Sequence, residues 1–384
     1  GRKQADGRFE TAGAWRHQIP GLCSGNRGVY FKRRRDKSHA ASPFQAGASL
    51  QRKRQGNLRN FKYRKEMSVK KIVHLVLLCC FMFLTACGRG TDASPSEETD
   101  SETAVTFTDD LGRQVTADRP ERVVCLIGSF ADIWYLAGGG DQIVATTDAT
   151  WTYFDLPLGE DVVNLGAAKE LNMEKLIACE PDLVLASCGT DRNMELESAF
   201  NEMGIPTAYF SVNTFEDYLR MLKICTEITG QSGNYETYGT TVWAQVERAL
   251  ARADGSRPSV LYIRATGSSC KVKNSEGSVL GEMLAALDCE NIADREGSLL
   301  EQLSLETILQ SDPDYIFVVL QSADPADAQA VLETTLLRNP AWASLTAIKE
   351  GRYYVMDQQL YNLKPNERWG EAYEQLADIL YPAQ

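Results

Sequence analysis

"LNMEKLIACEPDLVLAS" (Leu171–Ser187) and "LSLETILQSDPDYIFVV" (Leu303–Val319) say nearly the same thing 132 residues apart. Each carries a helix-capping residue (Asn172, Ser304), a glutamate two positions on (Glu174, Glu306), an aliphatic pair, a Pro-Asp and an apolar run. Asparagine and serine side chains accept hydrogen bonds from the free N–H groups of a first helical turn. A carboxylate in that turn complements the helix dipole by about 0.3–1 kcal/mol. Pro181 and Pro313 stop the helix, and the aliphatics that follow enter strands too apolar to keep one face in water. The phrase therefore predicts a short helix feeding a buried strand, used once in each of two similarly built lobes. On this reading the glutamates need only start a helix.

The alternation extends outward from both copies. "RVVCLIG" reads as a buried strand, "SFADIWYLAGGG" as a helix closed by glycines and "QIVATT" as a strand. After the first copy come a helix, "NMELESAFNEMG", and a strand, "IPTAYFS". Upstream, "VTFTDDLGRQVTA" alternates around Asp-Asp-Leu-Gly as a hairpin does. "TFEDYLRMLKICTEITG" and "NYETYGTTVWAQVERALARAD" are long amphipathic helices. Beyond "GSRPS" the alternation resumes through "VLYIR", "VLGEMLAALDC", the second copy, "ADAQAVLETTLL", "RYYVMD" and "RWGEAYEQLADIL". The expected fold is α/β, with two lobes (105–228 and 255–384), each a central, mostly parallel sheet flanked by helices. One long rigid helix within 229–254 joins them.

From Met67, "MSVKKIVHLVLLCCFMFLTAC" places two lysines before an apolar run that ends in small residues. That is a secretory signal over 67–86, short for a membrane span. Its "LTAC" ending resembles a bacterial lipobox, which makes Cys87 the expected lipidation site. Residues 1–66 then read as a non-native upstream extension, and the small, acidic stretch 87–104 as a flexible tether. From Cys87 on there are 21 basic and 48 acidic residues, a formal charge of −27, which argues against nucleic-acid binding. All three histidines (His17, His39, His74) precede Cys87, so the remainder has neither Ser-His-Asp or Cys-His chemistry nor an imidazole metal site. Six cysteines follow Cys87 without a C-x-x-C pair and read mostly as small apolar side chains.

The lipobox, "DDLGR", "ERVVCLIGSFADIWYLAGG", both Glu…Pro-Asp phrases and the joining helix together resemble one family, over about residues 105–384. It is the family of substrate-binding lipoproteins of ABC importers for iron-siderophore, haem and cobalamin. The resemblance implies that Glu174 and Glu306, one per lobe, dock onto arginines of a permease dimer. It implies a monomer, extracytoplasmic and lipid-anchored to the bacterial cell membrane, which binds a small-molecule metal chelate between its lobes. No catalytic residue, protein metal site or cofactor is expected.

The same resemblance points to pocket residues in the loops after successive strands. These are Ser129 and Phe130; Trp151, Tyr153 and Phe154; Arg264, Lys271 and Lys273; and Tyr361, Lys364 and Arg368. For Trp151 and Phe154 the alternative is an inward-packed loop anchor, and for the lysines a solvated pair. Trp369 reads as a core residue of the last helix. Ala168 and Leu300 stand where cobalamin-binding members carry aromatic residues, and the basic candidates suit an anionic ferric chelate. Two alternatives remain open: a ligand-sensing lipoprotein without transport, and an extracytoplasmic hydrolase on the same scaffold, for which no G-x-S-x-G elbow or phosphate loop is present.

Overall fold

The computed structural model describes residues 104–322 and 324–382. The expected upstream extension, signal peptide, lipidation site Cys87 and tether through residue 103 lie outside them. The hairpin expected around Asp-Asp-Leu-Gly is present as β1 (Val105–Thr108) and β2 (Gln114–Ala117), paired antiparallel. The first lobe's sheet has the order β5-β4-β3-β6-β7, every pair parallel. Its strands are β3 (Val123–Cys125), β4 (Ile143–Thr146), β5 (Val163–Asn164), β6 (Leu183–Ser187) and β7 (Thr207–Phe210). β3, β6 and β7 are buried at every position, as strands covered on both faces must be.

The "DDLGR" turn closes the β7 edge. Asp109 accepts from the backbone N–H of Leu111 (3.1 Å), Arg113 (2.9 Å) and Tyr209 (3.2 Å), and from the Arg113 guanidinium at 2.6 Å. Asp110 accepts from Ser211 N (2.6 Å) and Arg220 Nη2 (2.9 Å). Burial alone would raise the Asp109 carboxyl, but Arg113 and the backbone donors outweigh it and hold it below the ordinary value. The motif is thus a structural staple that protects an edge strand.

The second lobe's sheet runs β10-β8-β11-β12, all parallel, built from β8 (Ser259–Thr266), β10 (Glu290–Asn291), β11 (Tyr315–Gln321) and β12 (Tyr353–Met356). β9 (Cys270–Lys273) returns antiparallel on β8, so the glycine- and serine-rich stretch after Arg264 is a hairpin rather than an open loop.

Helix α1 (Gly128–Trp134) follows β3, and α2 (Met173–Ala178) lies within the first repeated phrase. The long helix α3 (Phe215–Ile228) starts at a capping box between Thr214 and Asp217. Between the lobes the chain is helical from Ser232 to Leu250, through a widened turn at Glu236–Thr240 into α4 (Thr241–Leu250). The second phrase holds α5 (Leu305–Ser311), and the chain closes with α6 (Trp369–Leu380). α4 packs along α6, with ion pairs Arg248–Glu374 and Arg252–Asp378 across the contact. A Cβ built on Gly370 would collide with Gln245, so the helices approach this closely because glycine stands at the crossing. One apolar core runs through both lobes: Phe215 of α3 lies 5.8 Å from Trp243 and 5.9 Å from Trp369, ring to ring.

Candidate functional site

The repeated phrases fold as their chemistry requires. Asn172 Oδ1 accepts from Lys175 N at 2.9 Å, and Ser304 Oγ accepts from Thr307 N at 3.2 Å. Each helix ends in a left-handed residue before the proline, Glu180 (φ 45°) and Asp312 (φ 38°). The Pro-Asp aspartates then pin the start of the neighbouring strand. Asp182 accepts from Glu121 N (2.8 Å) and Arg122 N (3.0 Å), and Asp314 from Ser259 N (2.8 Å) and Ser259 Oγ (2.7 Å). A helix that feeds a parallel strand starts at the sheet's carboxyl edge. Glu174 and Glu306 therefore stand on corresponding edges of their lobes. Both are exposed, and among the described residues neither makes a hydrogen bond or ion pair. Cap, proline and aspartate account for most of the local fold, and the glutamates add only a first-turn carboxylate facing the helix dipole.

Four cations gather where the lobes meet. The β8–β9 register sets Arg264 opposite Lys271 and, two residues along the same face, Tyr262 opposite Lys273. Burial depresses the Lys273 amine, and the charges of Arg264 and Lys271 add to the effect. Lys364, in the loop before α6, reaches across to Asn213 Oδ1 of the first lobe at 3.2 Å. Burial pushes the Lys364 amine down to about 8; Asp217 draws it back up and Arg264 pushes it further down. Arg264 Nη1 donates to Asn362 Oδ1 at 3.3 Å. The cluster holds four cations, with Asp217 the carboxylate that acts on Lys364.

The aromatic loop after β4 packs against α1. A Cβ on Gly128 would lie 2.8 Å from Thr150 N, so glycine lets α1 begin against this loop. Thr150–Phe154 form one widened helical turn ended by left-handed Asp155. Trp151 is 37% exposed; Tyr153 and Phe154 are half-buried, and Phe154 leans on the core.

Three expected pocket residues are engaged elsewhere. Phe130 is fully buried, its ring edge-on to Phe210 at 6.2 Å, because α1 turns it into the core. Tyr361 is also buried, its hydroxyl donating to Ala372 O at 3.0 Å. Arg368 makes two bonds to Glu371, at 2.7 and 3.0 Å. It lines a groove of about 360 Å³ with Tyr238, Val242, Gln245 and Glu371, between the joining helix and α6. Ser129 is buried and offers its carbonyl to Asn366 Nδ2 at 2.9 Å. Trp369 is a core residue, Leu300 is 40% exposed and Ala168 is half-buried. Asn213, Asp217, Asn362 and Asn366, which complete the junction, were not singled out from the sequence. The only trace they leave there is the alternation Asn362, Lys364, Asn366 in "YNLKPNERW". Among the described residues the six cysteines are free thiols, and no three His, Cys, Asp or Glu side chains come together as a metal site.

Two α/β lobes around a polar junction define a two-lobed binding-protein scaffold. The family model for periplasmic binding proteins matches residues 123–360, and the chain belongs to that family. It is 26% identical over 324 residues to an uncharacterized ABC transporter substrate-binding lipoprotein, YvrC, of Bacillus subtilis, covering 80% of this chain and 95% of the relative. It is 27% identical over 317 residues to a cobalamin-binding protein of Halobacterium salinarum, covering 78% and 83%. Among solved structures, the iron uptake ABC transporter substrate-binding protein PiuA of Streptococcus pneumoniae superposes with a TM-score of 0.58 at 19% identity, covering 74% of this chain and all of that one.

Proposed function

We propose that this protein is an extracytoplasmic, lipid-anchored solute-binding protein that captures an anionic ferric chelate between its lobes and delivers it to an ABC importer permease. It catalyses no reaction. The observation that carries the reading is the convergence of Arg264, Lys271, Lys273 and Lys364 near the lobe junction; Trp151, exposed on the loop after β4, is the aromatic candidate beside it in the proposal. Cationic side chains on a half-buried floor favour an anion, and an exposed indole offers a flat face to a chelate. The two rim carboxylates, one per lobe and free of partners, suit docking onto a two-fold permease through its arginines. The relatives' names span ferric citrate and cobalamin. Ala168 and Leu300, where cobalamin-binding members carry aromatic residues, favour the ferric chelate.

A tryptophan-fluorescence titration of residues 104–384 with ferric citrate, a ferric catecholate, haem and cobalamin tests this directly. Saturable quenching by a ferric chelate, weakened by Lys271→Glu, is expected. Saturation by cobalamin alone would overturn the ligand class. An uptake assay separates delivery from ligand sensing: transport that needs the permease supports delivery, and ligand binding without transport would leave the sensor.

A further inference from the structure

The segment between the short helix Gln358–Tyr361 and α6 crosses from one lobe to the other, and its alternate side chains each take a polar partner. Asn362 receives Arg264 at 3.3 Å, Lys364 donates to Asn213 at 3.2 Å, and Asn366 Nδ2 donates to Ser129 O at 2.9 Å and to Asp132 Oδ2 at 2.6 Å. Asn366 is wholly buried, stands at φ 53° and leaves its own Oδ1 without a partner among the described residues. Left-handed backbone and a bare buried carbonyl oxygen both cost free energy, so the two bonds to α1 are what retain the residue there. Pro365 sits between Asn366 and Lys364. Its ring fixes its own φ and holds Lys364 in extended backbone, so a shift at Asn366 carries through to the lysine.

We propose that Asn366 is a positioning residue: by fastening this strap to α1 of the opposite lobe, it fixes where Lys364 stands in the cleft. The inference rests on the reading above that Lys364 meets the ligand, yet its test needs no ligand. Asp132, the strap's charged anchor, makes the arrangement sensitive to pH. Burial pushes its carboxyl up to about 6; the bond from Asn366 opposes that rise and the charge of Glu367 adds to it. The groups facing it are Glu367 on the strap and Tyr218 on α3, whose hydroxyl donates to Tyr238 O at 3.0 Å. As pH falls through about 6, Asp132 gains a proton and its charge-assisted bond to Asn366 weakens. Lys364 stays protonated across that range and the charges acting on it are Asp217 and Arg264, so a change there that depends on Asp132 arrives through the strap.

The experiment is ¹³C-dimethylation of the lysines and a pH titration of the Lys364 resonance by NMR, assigned with Lys364→Arg. In the unsubstituted chain the resonance is expected to titrate near 8, with a second, smaller inflection near 6. Asp132→Asn should remove the inflection near 6 and keep the main transition. Asn366→Ala should raise the main midpoint by about one pH unit, tenfold in proton affinity, as the amine gains water. If Asn366→Ala does not fold, Asp132→Asn decides alone. No inflection near 6, or one that survives Asp132→Asn, overturns the strap. A strap that behaves as described while Lys364→Met leaves chelate affinity untouched would overturn the cleft reading instead.

Discussion

At pH 8 an anionic chelate entering the cleft should draw about 0.4 of a proton onto Lys364. The free protein holds this amine at about 8, so half the molecules are uncharged at that pH. An anionic group within a few ångströms raises a lysine by about one to two units, which leaves roughly 0.9 or more of the amines charged. The difference is an uptake of about 0.4–0.5 proton at pH 8, falling below about 0.1 at pH 6.5, where the amine is already charged. The same linkage weakens apparent affinity about five- to ninefold between pH 7 and pH 9. Lys273, also depressed by burial and like charge, contributes in the same sense, so Lys364→Met isolates the share of Lys364. Isothermal titration in two buffers of different ionisation enthalpy reads the uptake directly. Tight binding with uptake below about 0.1 at pH 8, or uptake unchanged in Lys364→Met, would refute the placement of the ligand beside this amine.

Reversing both rim charges (Glu174→Arg with Glu306→Arg) should reduce uptake at least tenfold while leaving chelate affinity within about twofold; unchanged transport in whole cells would remove the docking role. Asp109→Ala should destabilise the protein by about 2–3 kcal/mol in urea unfolding, since it leaves three backbone donors without an acceptor and takes one of the Arg113 guanidinium's partners, Glu197 and Thr207 O remaining. Because the folded Asp109 carboxyl lies below its unfolded value, its contribution is fully present at neutral pH and fades as pH falls below the ordinary carboxylate range; a substitution cost that persists undiminished at pH 2.5 would contradict this. Gly370→Ala should cost about 1–3 kcal/mol by forcing α6 off Gln245, with a stability curve indistinguishable from the parent as the refuting result.

The order of elements was readable because it depends on neighbours in the chain. Asn172 and Ser304 cap helices whose partners lie three residues away, and Pro181 and Pro313 end them. The hairpin strand β9 was also within reach, since "CKVK" alternates, but the surrounding glycines and serines masked it. Side-chain destinations were harder. Phe130 and Tyr361 follow strands closely in the sequence, as pocket residues do, yet both stand in helices whose rotation turns the ring into the core. The Arg368–Glu371 pair, at i,i+3, was visible as a local alternative to a ligand contact. Asn213 and Lys364 meet over 151 residues, and Asn366 reaches Ser129 over 237, so no local pattern encodes either contact.

The shared core has a consequence for how this chain is made. Phe215, in the first lobe, completes its packing only against Trp369, and α4 only against the helix Trp369–Leu380. A chain emerging from its N-terminus thus presents an unfinished apolar face until the helix Trp369–Leu380 has arrived. Local pieces can form earlier, but the shared core is complete only when both lobes are present. A truncation of the final helix would therefore cost more than one lobe: it would leave the beginning of the protein waiting for its end.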